Sequence, residues 1–295
     1  MSQNPLVQNE LLQPLSPFRS FFSNGMTVGA VTLALIAILP LFAILWQIVK
    51  EGAPNLTWEV FTSLPAPLGA EPGTPNGFAN AILGTLTMVG LATLFSVPLG
   101  IMTGIFLSEF AKGSTFGNAL RFAIVVLSST PSVIVGVFAY GILVVSTKQF
   151  SAVAGALALG VIMLPIVALT TEEALKLIPN SYRLGSAALG GSKLNTTWRI
   201  ILPAAVAPIM TGVLLAVARA AGETAPLMFT ALFSQFWQES LWAPTPSLPV
   251  LIYQYASSAF PEQNAIAWTA SLVLVVLVLV TNIISRLVTR KRNPS

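Results

Sequence analysis

The chain has 295 residues, of which 55% are hydrophobic and only 8% charged, with 14 Lys and Arg against 10 Glu. A soluble domain carries about 25% charged residues, so a mean hydropathy of +0.81 with several uncharged runs near the ~20 residues that cross hydrocarbon predicts an all-α membrane protein. Cys, His and Asp are absent, which excludes disulfides, thiolate or imidazole metal sites, a serine–histidine triad and an Asp-based phosphate-loop metal site within this chain. No G-x-x-x-x-G-K-S/T run occurs, so the chain does not bind ATP in the Walker manner by itself. The pI near 9.6 does not imply nucleic acid, because the basic residues fall in short loops.

Residues 1–24 are polar and proline-containing and predict a flexible tail. Residues 25–49 are uncharged and followed by Lys50-Glu51. That run is longer than the ~7–15 residues of a secretory core, so it is expected to be an uncleaved first span. An external loop follows to residue 77, dense in Pro and Gly after Pro65. Within it, residues 56–64 fit either a short interfacial amphipathic helix, through Trp58 and Phe61, or plain loop.

The second span is expected over 78–107, with Pro98 a source of a kink. A hydrophilic turn carrying Glu109, Lys112 and Arg121 leads to a third span over 122–145. The SSTPS run near its start contains Ser129 and Thr130, whose hydroxyls either satisfy backbone freed by Pro131 or line a cavity. A tight turn at Lys148 precedes the fourth span, 151–171. Residues 172–202 form the longest charged segment: helical, broken at Gly190-Gly191, then a second short helix capped by Ser192 and ending at Pro203. The fifth span is expected over 203–233 and the last over 264–285, before a basic tail at 287–295.

Six spans put both termini on one side. Arg19, Lys112, Arg121, Lys176, Arg183, Lys193, Arg199, Arg286, Arg290, Lys291 and Arg292 share that side, against Lys50 and Lys148 opposite. By the positive-inside rule the termini and the 172–202 loop are expected to be cytoplasmic.

The fifth span contains LLAVARAAGETAPLMFTALF, with Arg219 and Glu223 inside an apolar run. An ionisable group at membrane depth costs about 2.5–3.5 kcal/mol on insertion scales and usually faces protein or a wet path. At ~1.5 Å per residue, Arg219 is expected about 24 Å along this span. Four residues apart on one helix, the two side chains share a face, which Gly212, Ala216, Gly222 and Pro226 are expected to extend. Pro226 is expected to leave the Gly222 carbonyl free beside the charges. Two functions are open: an ion pair that only locks helices, or a station on a pathway. An intramembrane acid–base enzyme built on Glu223 lacks a nucleophile with an activating partner.

Gly190, nine further residues, then Ile200 and Leu202-Pro203 give G-x9-I-x-L-P. This resembles the EAA coupling loop of bacterial ABC importer permeases, which seats a permease on a separate ATPase subunit. Leu184-Gly185-Ser186, followed by Ala187, stands where the name-giving Glu-Ala-Ala is expected, while Gly190 and Gly191 keep the elbow. The run ILPAAVAPIMTGVLLAVARAAGETAPLMFTALFSQFW, with GFANAILGTLTM and SLPVLIYQYA, is similar to the PstA-type permease family of phosphate importers, over roughly residues 77–286. The resemblance implies a type I ABC importer permease fold over 78–286, in a bacterial inner membrane. It also implies a second, PstC-type permease, a dimeric PstB-type ATPase that uses ATP and magnesium, and an extracytoplasmic PstS-type phosphate-binding protein. Phosphate is the implied cargo, sulfate or molybdate the alternative. Arg219, Glu223 and Thr224, with Ser129 and Thr130, are the candidate path residues.

Overall fold

The structure, a computed structural model, describes residues 17–71 and 73–290, the last seven by backbone alone. It divides into two units, Met1–Lys50 and Glu51–Ser295. The first is carried by one helix, α1 (Pro17–Gly52), with Pro40 inside it. Helix therefore begins at Pro17, within the stretch expected to be tail; residues 1–16 of that tail and the basic residues 291–295 lie outside the described residues.

The second unit opens with two short 3-10 turns, Ala53–Asn55 and Trp58–Phe61. Trp58 is exposed and Val60 buried, so the stretch that fitted either an interfacial helix or a loop is a single turn within loop. Next come α2 (Ala79–Ile105), prolonged by a π-type turn at Phe106–Phe110, α3 (Thr115–Ser129) and α4 (Ser132–Thr147). Lys148 turns the chain in the left-handed region (φ 56°) into α5 (Ala152–Lys176), whose first turn is capped by Ser151. Then follow α6 (Asn180–Ala188), α7 (Lys193–Ala221), α8 (Ala225–Thr230), α9 (Leu248–Ala256) and α10 (Pro261–Arg290).

Small residues set the packing. A Cβ built on Gly100 would lie 2.8 Å from Val167 Cβ, and one on Gly104 would lie 2.6 Å from Thr171 Cβ. These glycines let α2 and α5 approach closely, the main source of helix association without a hydrophobic drive in lipid. Because 100 meets 167 and 104 meets 171, α2 and α5 run in the same direction. The chain between them must therefore cross back. It does so as a broken span: α3 and α4 meet at 103°. The sequence reading expected one helix over 122–145. At the break Thr130 is extended (φ −71°, ψ 130°), the conformation that a following proline favours.

The fifth span also differs from expectation. Helix α7 starts ten residues early, at Lys193, and runs through Pro203 because a π-type turn at Thr197–Ile201 absorbs the missing donor. It then stops at Ala221, so Glu223 and Pro226 do not extend an α7 face. Pro226 sits in the first turn of α8, where a missing N–H costs nothing. Helix α7 lies antiparallel to α5, with Gly212 against Thr170, whereas Leu227 and Ala231 meet Gly155 near the start of α5. The core between α2, α5 and α7 contains Met88, Leu159, Met163, Val167, Ile201 and Ile209. A second cluster joins Phe78, just before α2, to Leu248, Leu251 and Tyr255 of α9 and Ala270 of α10.

Candidate functional site

Arg219 occupies the last turn of α7. Seven residues beyond Gly212 along an antiparallel helix, it stands level with the middle of α5, at about 10 Å from the Gly212 level. The helix closes over it by tight bonds, from Gly222 N–H to the Arg219 carbonyl (3.1 Å) and from Glu223 N–H to the Ala220 carbonyl (3.2 Å). The chain then turns through Gly222, Glu223 and Thr224 before α8 begins. Arg219, Glu223 and Thr224 thus gather at one break at mid-bundle depth, where irregular backbone is tolerated only against protein or a wet cavity.

The side chains on this break are loosely held. Arg219 Nε stands 3.6 Å from Glu223 Oε1, beyond hydrogen-bonding distance, with the arginine side chain 56% exposed and the glutamate 16%. Gly212, Ala216 and Ala220 are buried against α5, whereas Arg219 belongs to an exposed stripe with Ala204, Pro208, Thr211, Leu215 and Gly222. The expected common face of Gly212, Ala216 and Arg219 is therefore two faces: small residues pack inward, and the guanidinium points away from this chain's own core.

Ser129 and Thr130 lie at the other break. Their hydroxyls donate to backbone, Ser129 to the Val125 and Val126 carbonyls (3.1 and 3.0 Å) and Thr130 to Val126 (2.8 Å). These bonds serve backbone carbonyls at the break. The two breaks are connected through α4 and α8, where a Cβ on Gly136 would lie 2.6 Å from Pro226 Cα. An apolar cavity of about 270 Å³ between α2, α7 and α10, lined by Val89, Val217, Ala221 and Val278 with three threonines, contains no charged residue and offers nothing to an anion.

At the far end of the bundle, α6 closes in a Schellman motif. Gly190 N–H donates to the Ala187 carbonyl and Gly191 N–H to the Ser186 carbonyl (3.0 and 2.9 Å), with Gly190 at φ +78°. Ser192 accepts from Asn195 N–H (3.3 Å), the expected cap. Ser186 also meets Thr196 hydroxyl to hydroxyl at 2.7 Å, tying α6 to the start of α7. Leu184, Gly185, Ala187 and Leu189 are exposed, so the tripeptide in the Glu-Ala-Ala place presents an uncharged surface.

The same end holds ion pairs that sequence reading missed. Glu172, 2% exposed, takes Arg121 Nη2 at 2.5 Å and Lys176 Nζ at 2.6 Å. Glu109, 5% exposed, takes Arg183 Nη2 at 2.5 Å and Arg183 Nε at 3.1 Å. Its hydrogen bond from Arg183 also raises the arginine pKa above the ordinary value. Only the Glu172–Lys176 pair had a local signal, the i,i+4 spacing; the other partners are 51 and 74 residues apart.

Residues 96–294 match the family described as binding-protein-dependent transport system inner membrane component. The chain is 42% identical over 245 residues to the phosphate transport system permease protein PstA of Haemophilus influenzae, covering 83% of this chain and 85% of that protein. It is also 42% identical over 249 residues to PstA of Yersinia pestis, covering 84% and 83%. Among solved structures, a bacterial alginate ABC transporter bound to its periplasmic protein superposes with a TM-score of 0.66 over 94% of this chain and 98% of that one. At 15% identity that likeness speaks for the fold alone.

Proposed function

This chain belongs to the binding-protein-dependent transport system inner membrane component family, and we propose that it is the permease subunit that takes inorganic phosphate through the inner membrane of an ATP-driven importer. The observation that carries the reading is the name shared by relatives 42% identical over most of both chains, phosphate transport system permease. Those names give no support to sulfate or molybdate. The chain is a transport subunit rather than an enzyme. ATP and magnesium belong to a PstB-type ATPase pair, and phosphate arrives from a PstS-type binding protein. A PstC-type permease completes the path by facing the exposed stripe of α7. The 172–202 loop, through the α6 elbow, is the seat of the ATPase, and the termini share its cytoplasmic side.

Phosphate needs compensation at mid-membrane, because an unpaired ion there is prohibitive. A guanidinium matches phosphate oxygens with a rigid fork and never loses its charge. Arg219 suits this because its one ion-pair partner among the described residues is a carboxylate 3.6 Å away. Glu223 competes for the same cation, so phosphate is held weakly enough to leave, the compromise any conducting site must meet. Thr224 stands at the same break as a hydroxyl contact; Ser129 and Thr130 supply, through their backbone bonds, the bend that brings α4 against α8.

The test is anion uptake by the full importer in liposomes, with phosphate, sulfate and molybdate compared. Saturable, ATP-dependent phosphate uptake that the other two anions do not match supports the reading. Sulfate or molybdate uptake above phosphate overturns it. The charge-swapped pair Arg219→Glu with Glu223→Arg separates a path from a purely structural pair: restored transport favours the structural role, and assembly without transport favours the path.

A further inference from the structure

Helix α6 has no buried side chain, so burial of apolar surface does not hold it to the bundle. Yet this is the element that must pass any push from outside the membrane to the spans. Beside the Ser186–Thr196 contact to α7, one side chain ties it to α2 and α5. Arg183 donates through Nε and Nη2 to both carboxylate oxygens of Glu109, at 3.1 and 2.5 Å. Its remaining donors reach the carbonyls of Leu175 (3.0 Å) and Ile178 (2.9 Å).

Arg183 and its partners belong to three different places. Glu109 sits in the π-type turn that ends α2. Leu175 lies in the last turn of α5 and Ile178 just past its end, where the helix dipole favours a cation. Arg183 itself is in α6. The fork geometry is what permits this: a guanidinium can serve a carboxylate on one edge and two carbonyls on the other, while an ammonium is a single point.

Resting on the permease reading above, we infer that Arg183 is the positioning residue that couples the cytoplasmic loop to the spans, by locking α6 to the ends of α2 and α5 as one body. Displacement of α6 then moves α2 and α5 together, because Gly100 and Gly104 hold those helices in close contact. Helix α7 follows through Gly212 against Thr170, and α7 carries Arg219. The start of α7 leans on the same turn, with Lys193 Nζ 5.5 Å from the centroid of the Phe110 ring. The π-type turn Phe106–Phe110 is thus where both sides of the glycine elbow meet the bundle.

This chain has no cysteine of its own, so labels can be placed on it once any cysteines of the other subunits are replaced. The complete importer is reconstituted with spin labels on Ser181→Cys and Lys112→Cys, both exposed positions. The distance between them is measured with and without trapped ATP, beside phosphate taken up per ATP hydrolysed. Unsubstituted at Arg183 and Glu109, the distance distribution is expected to stay unchanged on trapping. In Arg183→Met it is expected to broaden on trapping, with phosphate per ATP down about tenfold and hydrolysis within about twofold. Arg183→Lys and Glu109→Gln are expected to fall between, since each keeps part of the network.

A wild-type phosphate-to-ATP ratio in Arg183→Met overturns the inference. So does a lost ratio with an unmoved label distance. If Arg183→Met does not assemble, Arg183→Lys and Glu109→Gln decide on the same two readouts. Failure of the permease reading shows elsewhere, as no phosphate uptake by the complex with both residues intact, and the label distances still report on the clamp.

Discussion

Arg121, Arg183 and Arg219 carry the same charge but are committed differently. Arg121 bridges to the buried Glu172 and also reaches Asn118 Oδ1 at 3.3 Å. Arg183 spends its donors on Glu109 and two carbonyls. Arg219 has one carboxylate beyond hydrogen-bonding distance, which leaves its fork available to an anion. Removing a committed arginine is therefore expected to cost stability, and removing Arg219 to cost transport. Arg121→Met leaves Glu172 with Lys176 as its one remaining cation. Since Arg121 is itself about a third exposed, the expected loss is about 1–3 kcal/mol, read as a lower Tm of the purified complex; an unchanged Tm would contradict it. Glu223→Gln removes the competitor without removing the cation. The expected outcome is a lower half-saturation for phosphate with a slower maximal rate, and a faster rate would contradict the competition.

At the scale of elements, the two breaks and the glycine elbow decide the architecture. The elbow was legible because Gly190 is the one residue type that takes φ +78° without strain. Gly190→Ala should cost about 1 kcal/mol and loosen the Schellman bonds; reduced phosphate uptake at normal expression is the check. Apolar length made the helix existence and the order of spans readable. It could not show where spans break, because a broken span has the same hydropathy as a straight one. Pro131 and Pro226 were visible, but their effects differ: Pro131 ends α3 by restricting Thr130, while Pro226 begins α8. The ion pairs of Glu109 and Glu172 were hidden for another reason. Their partners are set by helix packing, and the same residues read in sequence only as loop charges. The close passage of α4 over α8 is testable by Gly136→Val. The added atoms fall on Pro226 Cα, so overpacking of about 1–3 kcal/mol is expected, seen as a lower Tm with the bundle otherwise assembled.

For the whole molecule, parallel α2 and α5 with a broken span between them mean that the bent pair is a crossing rather than a re-entrant hairpin. Lys112, Arg121, Lys176, Arg183, Lys193 and Arg199 then fall at the end of the bundle that holds α6, and the loop before α9 lies opposite. Single cysteines at Ser181 and Glu239, both exposed, give the orientation: an impermeant thiol reagent applied outside intact cells should label the second and not the first. Across this bundle, mid-depth Arg219 is the group on which the proposed phosphate path depends. The most direct measurement is ATP-driven uptake of labelled phosphate by the reconstituted importer with Arg219→Ala and Arg219→Lys, assembly and ATP hydrolysis being followed in the same vesicles. Assembled alanine complexes that hydrolyse ATP but take up at least about tenfold less phosphate, with lysine partly restoring uptake, are the expected result; uptake at the unsubstituted rate in the alanine complex would contradict it.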